Sequence, residues 1–492
     1  MLGSIDLLVC GTYLLIVIGL GVYFSRKQTS SDEYFLGGRN MHWFLVGLSV
    51  FAGTFSSLSF VGLPREAAYE NYHLYLAILF IPFVVMPIVG YFFLPMFFRL
   101  KFTSIYEYLE WRFHRSVRLF SSFLFILYTI GWMGNMLVAV GKILQVVLEL
   151  NDTQLRLVLL GVGLFATVYT TLGGVKAVIW TDALQAFALG GGMLVVFYLG
   201  VSKIDGGFSA FIATAQANDK FDMFKMTWSL TDENLWSACA FGFFVYLSGH
   251  SVSFTAAQRY VSMPNIRAAR YSLIVNGVMV GAVCLLFFFV GTMLFAFYQQ
   301  HDPQLFADLG RLGKGDQLLP TFVTQHIPVP GLVGLLLAGL FAAAMSSMDS
   351  GINSLTASVV CDWVGGKNVP MMLNRICCAI FGFAAVMAAF VLQTMGGNVF
   401  DMIMTIAGTF LGLLLGVFSL GMFSRRANTQ GVLIGMCAGT VALLLVMFVF
   451  NKSVNHWWYG AFTCLPTVVV GWSASLFFPP PDPKRVDELF WR

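Results

Sequence analysis

Leu335–Leu355 reads LLLAGLFAAAMSSMDSGINSL, an almost uniformly apolar stretch that acquires six polar side chains within nine residues: Ser346, Ser347, Asp349, Ser350, Asn353 and Ser354. On a helix turning 100° per residue, Ala343, Ser346, Ser350, Asn353 and Ser354 fall within about 100° of one another, and Ser347 and Asp349 flank that arc. One face is therefore polar. A carboxylate at membrane depth costs about 2.5–3.5 kcal/mol on insertion scales, so such residues face a bundle interior and mark ion or substrate pathways. Hard oxygen donors without His or Cys suit a hard cation. The competing reading of the same face is interhelical hydrogen bonding by small polar residues.

The chain around this helix has 492 residues, 58% of them hydrophobic and only 11% charged, against about 25% charged in soluble domains. With about 20 residues per helical span, its many apolar runs predict an all-α polytopic bundle in the lipid bilayer. The net charge of +4 gives no sign of a nucleic-acid partner. Eight dispersed cysteines show no paired metal spacing and read as small buried hydrophobes. No Lys or Arg precedes residue 26 and Asp6 is present, so the first apolar run is expected to stay as a helix rather than be cleaved. No phosphate loop, HExxH motif or nucleophile elbow points to an enzyme.

Thirteen spans are predicted, at roughly 5–24, 42–63, 73–98, 119–148, 153–172, 176–201, 235–258, 271–299, 329–360, 370–394, 398–423, 428–450 and 455–478. Connections on one side, with the tail, hold 19 Lys and Arg, among them Arg112, Arg118 and Arg259, against 8 on the other. Positive charge marks the cytoplasmic side, so the N-terminus is expected outside and the C-terminus inside, in the plasma membrane.

The second span carries Gly47, Gly53 and Gly62 beside Thr54, Ser56, Ser57 and Ser59, and the seventh mixes Gly242, Ser248, Gly249, His250, Ser251 and Ser253. Glycine beside hydroxyls allows a helix to unwind inside protein and free its carbonyls. Two such segments at matching places in two five-helix halves point to an inverted repeat with a midplane site. Small residues for close packing are the alternative. The sixth span places Asp182 and Gln185 inside an apolar helix, where Asp182 needs a cation, a proton or Lys142 as partner. Lys142 either snorkels or pairs, His250 reads as a satisfied interior histidine, and Asp401 reads as a helix cap. KFTSIYEYLEWRFHRSVRLF, residues 101–120, reads as an interfacial helix.

These residues carry a family likeness. Through SSDEYFLGGRNMHW, TSIYEYLEWRF, YTTLGGVKAVIWTDALQ, QRYVSMPN and AAAMSSMDSGINSL the chain resembles the sodium/solute symporters, a family whose members carry sugars, proline, sialic acid, iodide, vitamins or monocarboxylates. The resemblance implies a LeuT-type fold: one transporter domain over 1–492, with an extra N-terminal helix at 5–24, five-helix repeats at 42–201 and 235–423, and two extra C-terminal helices at 428–478. It implies a principal sodium site built from the carbonyls of Ala52, Phe55 and Ala343 and the hydroxyls of Ser346 and Ser347. A further sodium site, present in some members, maps onto Asp182, Ser346, Asp349 and Ser350, and Asp349 departs from those members that carry a hydroxyl there. Solute would lie beside Thr54, Ser56 and Ser59, with Trp132 and Asn135 on the fourth span.

Sialic-acid-binding members place an arginine after an Ile-Gly step in the fourth span, whereas here Trp132 follows Ile130-Gly131, and the matching polar position in the third span is Ile78. The resemblance therefore implies sodium-driven uptake, by alternating access, of a small organic solute, sugar-like or an organic anion, with the missing arginine counting against sialic acid; a monomer is expected to be the functional unit. The alternatives are a proton-coupled carrier of the same fold and a membrane-embedded solute sensor.

Overall fold

The computed structural model describes residues 3–490 apart from 26–30, 56, 101, 328, 366–368, 396–398 and 451–452. Every regular element among them is helical, as lipid demands, because a helix satisfies its backbone N–H and C=O groups within one segment. The long elements in chain order are α1 (Ser4–Ser25), α2 (Trp43–Thr54), α3 (Ser57–Tyr69), α4 (His73–Leu100), α5 (Arg115–Val147), α6 (Asp152–Thr171) and α7 (Gly174–Val201). Then follow α8 (Leu235–Ser251), α9 (Phe254–Val261), α10 (Ile266–His301), α11 (Leu332–Val364), α12 (Met371–Met395), α13 (Val399–Phe423), α14 (Thr429–Phe448) and α15 (Tyr459–Ser475).

Ten of these are long and apolar enough to cross a membrane. The pairs α2–α3, bent by 61°, and α8–α9, bent by 51°, add two more if each pair is one span. The thirteenth expected span, 455–478, differs: Asn455 caps a short turn, His456–Trp458, that takes up its start, leaving α15 with 17 residues. It packs against α13 and α14.

Helix α6 runs into α7 without a loop, and Gly174 makes the junction with φ 57° and ψ −172°, a conformation open to glycine alone. The chain turns back there. Thr170 and Asp182 are 12 residues apart, about 18 Å along a straight helix. Yet their side chains reach Asp349 and Ser346, less than one turn apart on α11.

Helix α11 is the hub, buried along nearly its whole length and packed against α1, α2, α3, α5, α6, α7 and α12. Asp6 explains itself here. Its Oδ1 accepts the Gly334 N–H at 2.9 Å, so this carboxylate in an otherwise apolar helix caps the start of α11.

The expected interfacial helix in 101–120 is instead a six-residue turn of helix, Glu107–Arg112, with Tyr106, Tyr108, Leu109 and Arg112 all buried. Arg112 donates to the carbonyls of Gly421 and Ser424 at 3.2 and 2.7 Å. Arg118 joins Glu110 at 2.6 Å and Asp362 at 2.8 Å. The basic residues among the apolar ones serve tertiary contacts, so the segment is a clasp between α5, α11 and α13 rather than a surface anchor.

Candidate functional site

Helix α2 stops at Thr54 because Phe55 leaves helical dihedrals, φ −89° and ψ 105°, and helix resumes at Ser57. The last carbonyls of a helix lack intrahelical donors. Phe51 O still accepts the Phe55 N–H at 2.7 Å, so the carbonyls beyond it, from Ala52 to Phe55, are the ones the break makes available to a ligand. This break faces α11. Ala52, Ala343, Ser346 and Ser347 are fully buried and Phe55 nearly so. The Ser347 Oγ has no hydrogen-bond partner among the described residues. A buried hydroxyl left in that condition costs about 1–3 kcal/mol unless a ligand takes it up.

The second set of oxygens lies around Asp182, which is fully buried. Its Oδ1 accepts from Ser346 Oγ at 2.5 Å, and its Oδ2 accepts from Ser49 Oγ at 2.5 Å and from Arg259 Nη2 at 3.0 Å. Arg259, also buried, donates further to Ser49 Oγ at 2.7 Å, to Ser350 Oγ and to the Thr255 carbonyl at 3.2 Å. The partner of Asp182 is therefore Arg259. Lys142 pairs with Asp316, Nζ to Oδ2 at 3.2 Å. Asp349 points to a different neighbour: Thr170 donates to its Oδ1 at 2.6 Å, and its Oδ2 has no hydrogen-bond partner among the described residues. Both amide atoms of buried Gln185 are in the same condition.

Beside the break opens a cavity holding 1160 Å³ of non-atom space, its mouth included. Thr54, Phe55, Ser59, Trp132, His250 and Arg259 are among its walls. Trp132 stacks on Tyr128 at 6.4 Å. Of the residues expected to meet solute, Thr54, Ser59 and Trp132 line this space. Asn135 is buried one turn on and is not part of the lining. Ser56 lies outside the described residues, as does the Asp401 side chain expected to cap a helix. Ile78 also lines the cavity.

Two residues of the site escaped sequence reasoning. Arg259 was counted with the loops, but it sits in α9 at 4% exposure; the available signal was a lone charge inside the helix FTAAQRYV, one turn after Thr255. His250 is not a satisfied interior histidine, since it lines the cavity and its buried Nδ1 has no hydrogen-bond partner among the described residues.

The arrangement offers carbonyl and hydroxyl oxygens for cations beside a mostly apolar solute cavity. Among the described residues there is no cluster of three His, Cys, Asp or Glu side chains of the kind that holds a transition metal. The sodium:solute symporter family model matches residues 34–439. The chain is 32% identical to the sodium/sialic acid symporter SiaT of Proteus mirabilis, over 99% of this chain and 98% of that protein. It is 31% identical to the human sodium/iodide cotransporter over 90% of this chain and 70% of that one. A solved structure of a substrate-bound, outward-open Na+-coupled sialic acid symporter matches with TM-score 0.87 at 30% identity, covering 98% of this chain and 99% of that chain. Mhp1, a nucleobase-cation-symport-1 family transporter, matches at TM-score 0.54 and 12% identity over 94% of this chain and 99% of that one, a likeness of fold alone.

The fold is thus all-α and LeuT-type, a 5+5 inverted repeat with one extra N-terminal and two extra C-terminal helices. The chain belongs to the sodium:solute symporter family, and it is a multi-pass membrane protein that couples sodium to the symport of a small organic solute rather than an enzyme.

Proposed function

We propose that this symporter imports a sugar-like solute or small organic anion, driven by sodium at a principal site formed by Ala52, Phe55, Ala343, Ser346 and Ser347. The observation that carries this reading is the buried Ser347 Oγ, without a hydrogen-bond partner among the described residues, on the helix that packs against both halves of the broken span. A dehydrated cation supplies what both groups lack. Asp182, Ser346, Asp349 and Ser350 form the further sodium site, and solute rests against Thr54, Ser56, Ser59 and Trp132.

The repeats run over 42–201 and 235–423, flanked by 5–24 and 428–478. The N-terminus lies outside and the C-terminus in the cytoplasm. Setting aside the buried Arg112, Arg259 and Lys220 leaves seventeen basic residues against seven in the same sense. The unit of function is a monomer in the plasma membrane.

Each sodium ion contributes about 2.3 kcal/mol from roughly 100 mV and about 1.4 kcal/mol from a tenfold gradient. Two ions give about 7.4 kcal/mol, roughly five powers of ten of accumulation for a neutral solute.

Sialic acid is carried by relatives matched over nearly their full length, and it heads the panel to be tested. Trp132 and Ile78 in the cavity wall favour a different compact solute. The test is isotope uptake of that panel, with lactate and neutral sugars, in sodium and in choline buffer. Sodium-dependent uptake of one of them is expected; equal uptake in both buffers would overturn the sodium reading and leave the proton-coupled carrier.

A further inference from the structure

We propose that Arg259 is the group that binds the carboxylate of an anionic solute, and that sodium at Asp182 releases it to do so. The inference rests on the reading of this cavity as the solute site and names the solute class as an organic carboxylate.

Three contacts place Arg259 between the sites. Its Nη2 donates to Asp182 Oδ2 and to Ser350 Oγ, two of the side chains assigned to the further sodium site. A cation there draws on the same two oxygens as the guanidinium and sets a second positive charge against it, so the two compete for Asp182. Its guanidinium also lies against the broken span: a Cβ on Gly53 would come within 3.1 Å of Nη2 and 3.3 Å of Cζ. Gly53 adjoins Ala52, whose carbonyl belongs to the principal site. Finally, Arg259 lines the cavity, where no other Arg and no Lys is present among the lining residues. An anion entering this mostly apolar space meets one permanent positive charge.

Charge decides the order of events. Asp182 and Arg259, paired at 3.0 Å, neutralise each other. A sodium ion placed on Asp182 leaves the guanidinium without a counter-ion in a low-dielectric interior, a costly condition. Turned toward the cavity, the guanidinium regains a partner when a carboxylate arrives, and its planar fork suits two parallel hydrogen bonds to one carboxylate. Sodium and solute then bind better together than either alone, by the same factor in each direction.

The test uses the full-length protein in detergent, with equilibrium binding of radiolabelled probes reporting occupancy. The probes are lactate and lactamide, and sialic acid and its methyl ester, each in sodium and in choline. In the parent protein the acid is expected to bind at least about tenfold more tightly than its neutral analogue in sodium, with little preference in choline. Asp182→Asn frees Arg259 without sodium, so the preference for the acid is expected in both buffers. Asp182→Asn combined with Arg259→Gln removes both members of this pair together and should bind acid and neutral analogue alike. Retention of the acid preference in the double variant would refute Arg259 as the carboxylate partner. Acid binding as sodium-dependent in Asp182→Asn as in the parent would refute the release by sodium. If no probe binds the parent in either buffer while radiolabelled sodium does, the solute reading of the cavity fails and this inference with it.

Discussion

Ser347→Ala separates a sodium ligand from a structural hydroxyl. The Ser347 Oγ is fully buried and has no hydrogen-bond partner among the described residues, a condition that costs about 1–3 kcal/mol unless a ligand takes the hydroxyl up. Replacing it with a methyl group removes that cost, so the sodium-free variant should be as stable as the parent or more so. With sodium bound, the same change removes one of five oxygens from a closed site where water cannot substitute. The sodium-linked free energy should fall by about 1–3 kcal/mol, equivalent to a roughly 5- to 150-fold rise in the half-saturating sodium concentration. Thermal unfolding followed by tryptophan fluorescence reads both effects. At a sodium concentration 100 times its Kd the parent gains about 2.7 kcal/mol, and a tenfold weaker variant would gain only about 1.4 kcal/mol. Uptake against sodium concentration gives the second measure. A variant that loses as much stability in choline as in sodium, or whose half-saturating sodium changes less than threefold, would show that Ser347 is not a ligand.

The two aspartates at the further site are expected to act on one ion, so Asp182→Asn and Asp349→Asn should each lower the charge moved per solute, and the double change should cost little more than the worse single one. Simple additivity in a current-to-uptake ratio would argue for two separate roles, as their different neighbours, Arg259 and Thr170, allow. Gly291→Ala would put a Cβ 2.2 Å from the Pro64 carbonyl oxygen and 2.8 Å from Ala67 Cβ, driving α10 off α3; overpacking of this kind costs about 1–3 kcal/mol, and an unchanged Tm would contradict the packing described. In a background without native cysteines, Gln304→Cys should react with an impermeant thiol reagent added outside intact cells and Arg425→Cys should not; the opposite pattern would reverse the topology.

Some of this protein is written in local sequence. The spans are legible because hydropathy is a sum over neighbouring residues and lipid admits few backbone arrangements. The polar face of α11 follows from helical rotation alone, and the break at Phe55 from glycine and hydroxyls crowded into one span. Pairing is another matter. Asp182 and Arg259 are 77 residues apart and Lys142 and Asp316 are 174 apart, and nothing in either neighbourhood distinguishes Lys142 from Arg259 as the partner of Asp182. Only the turn at Gly174 and the bend between α8 and α9 bring the guanidinium to that carboxylate. The same limit put Arg259 among the loop charges and made Glu107–Arg112 look interfacial, because amphipathic spacing records which side chains are polar and not what covers them. Sequence thus determined which residues could not face lipid, since that cost is paid residue by residue. Which of them meet, and so which oxygens remain for a cation and which charge remains for a solute, depends on distances between segments that only the packed bundle sets.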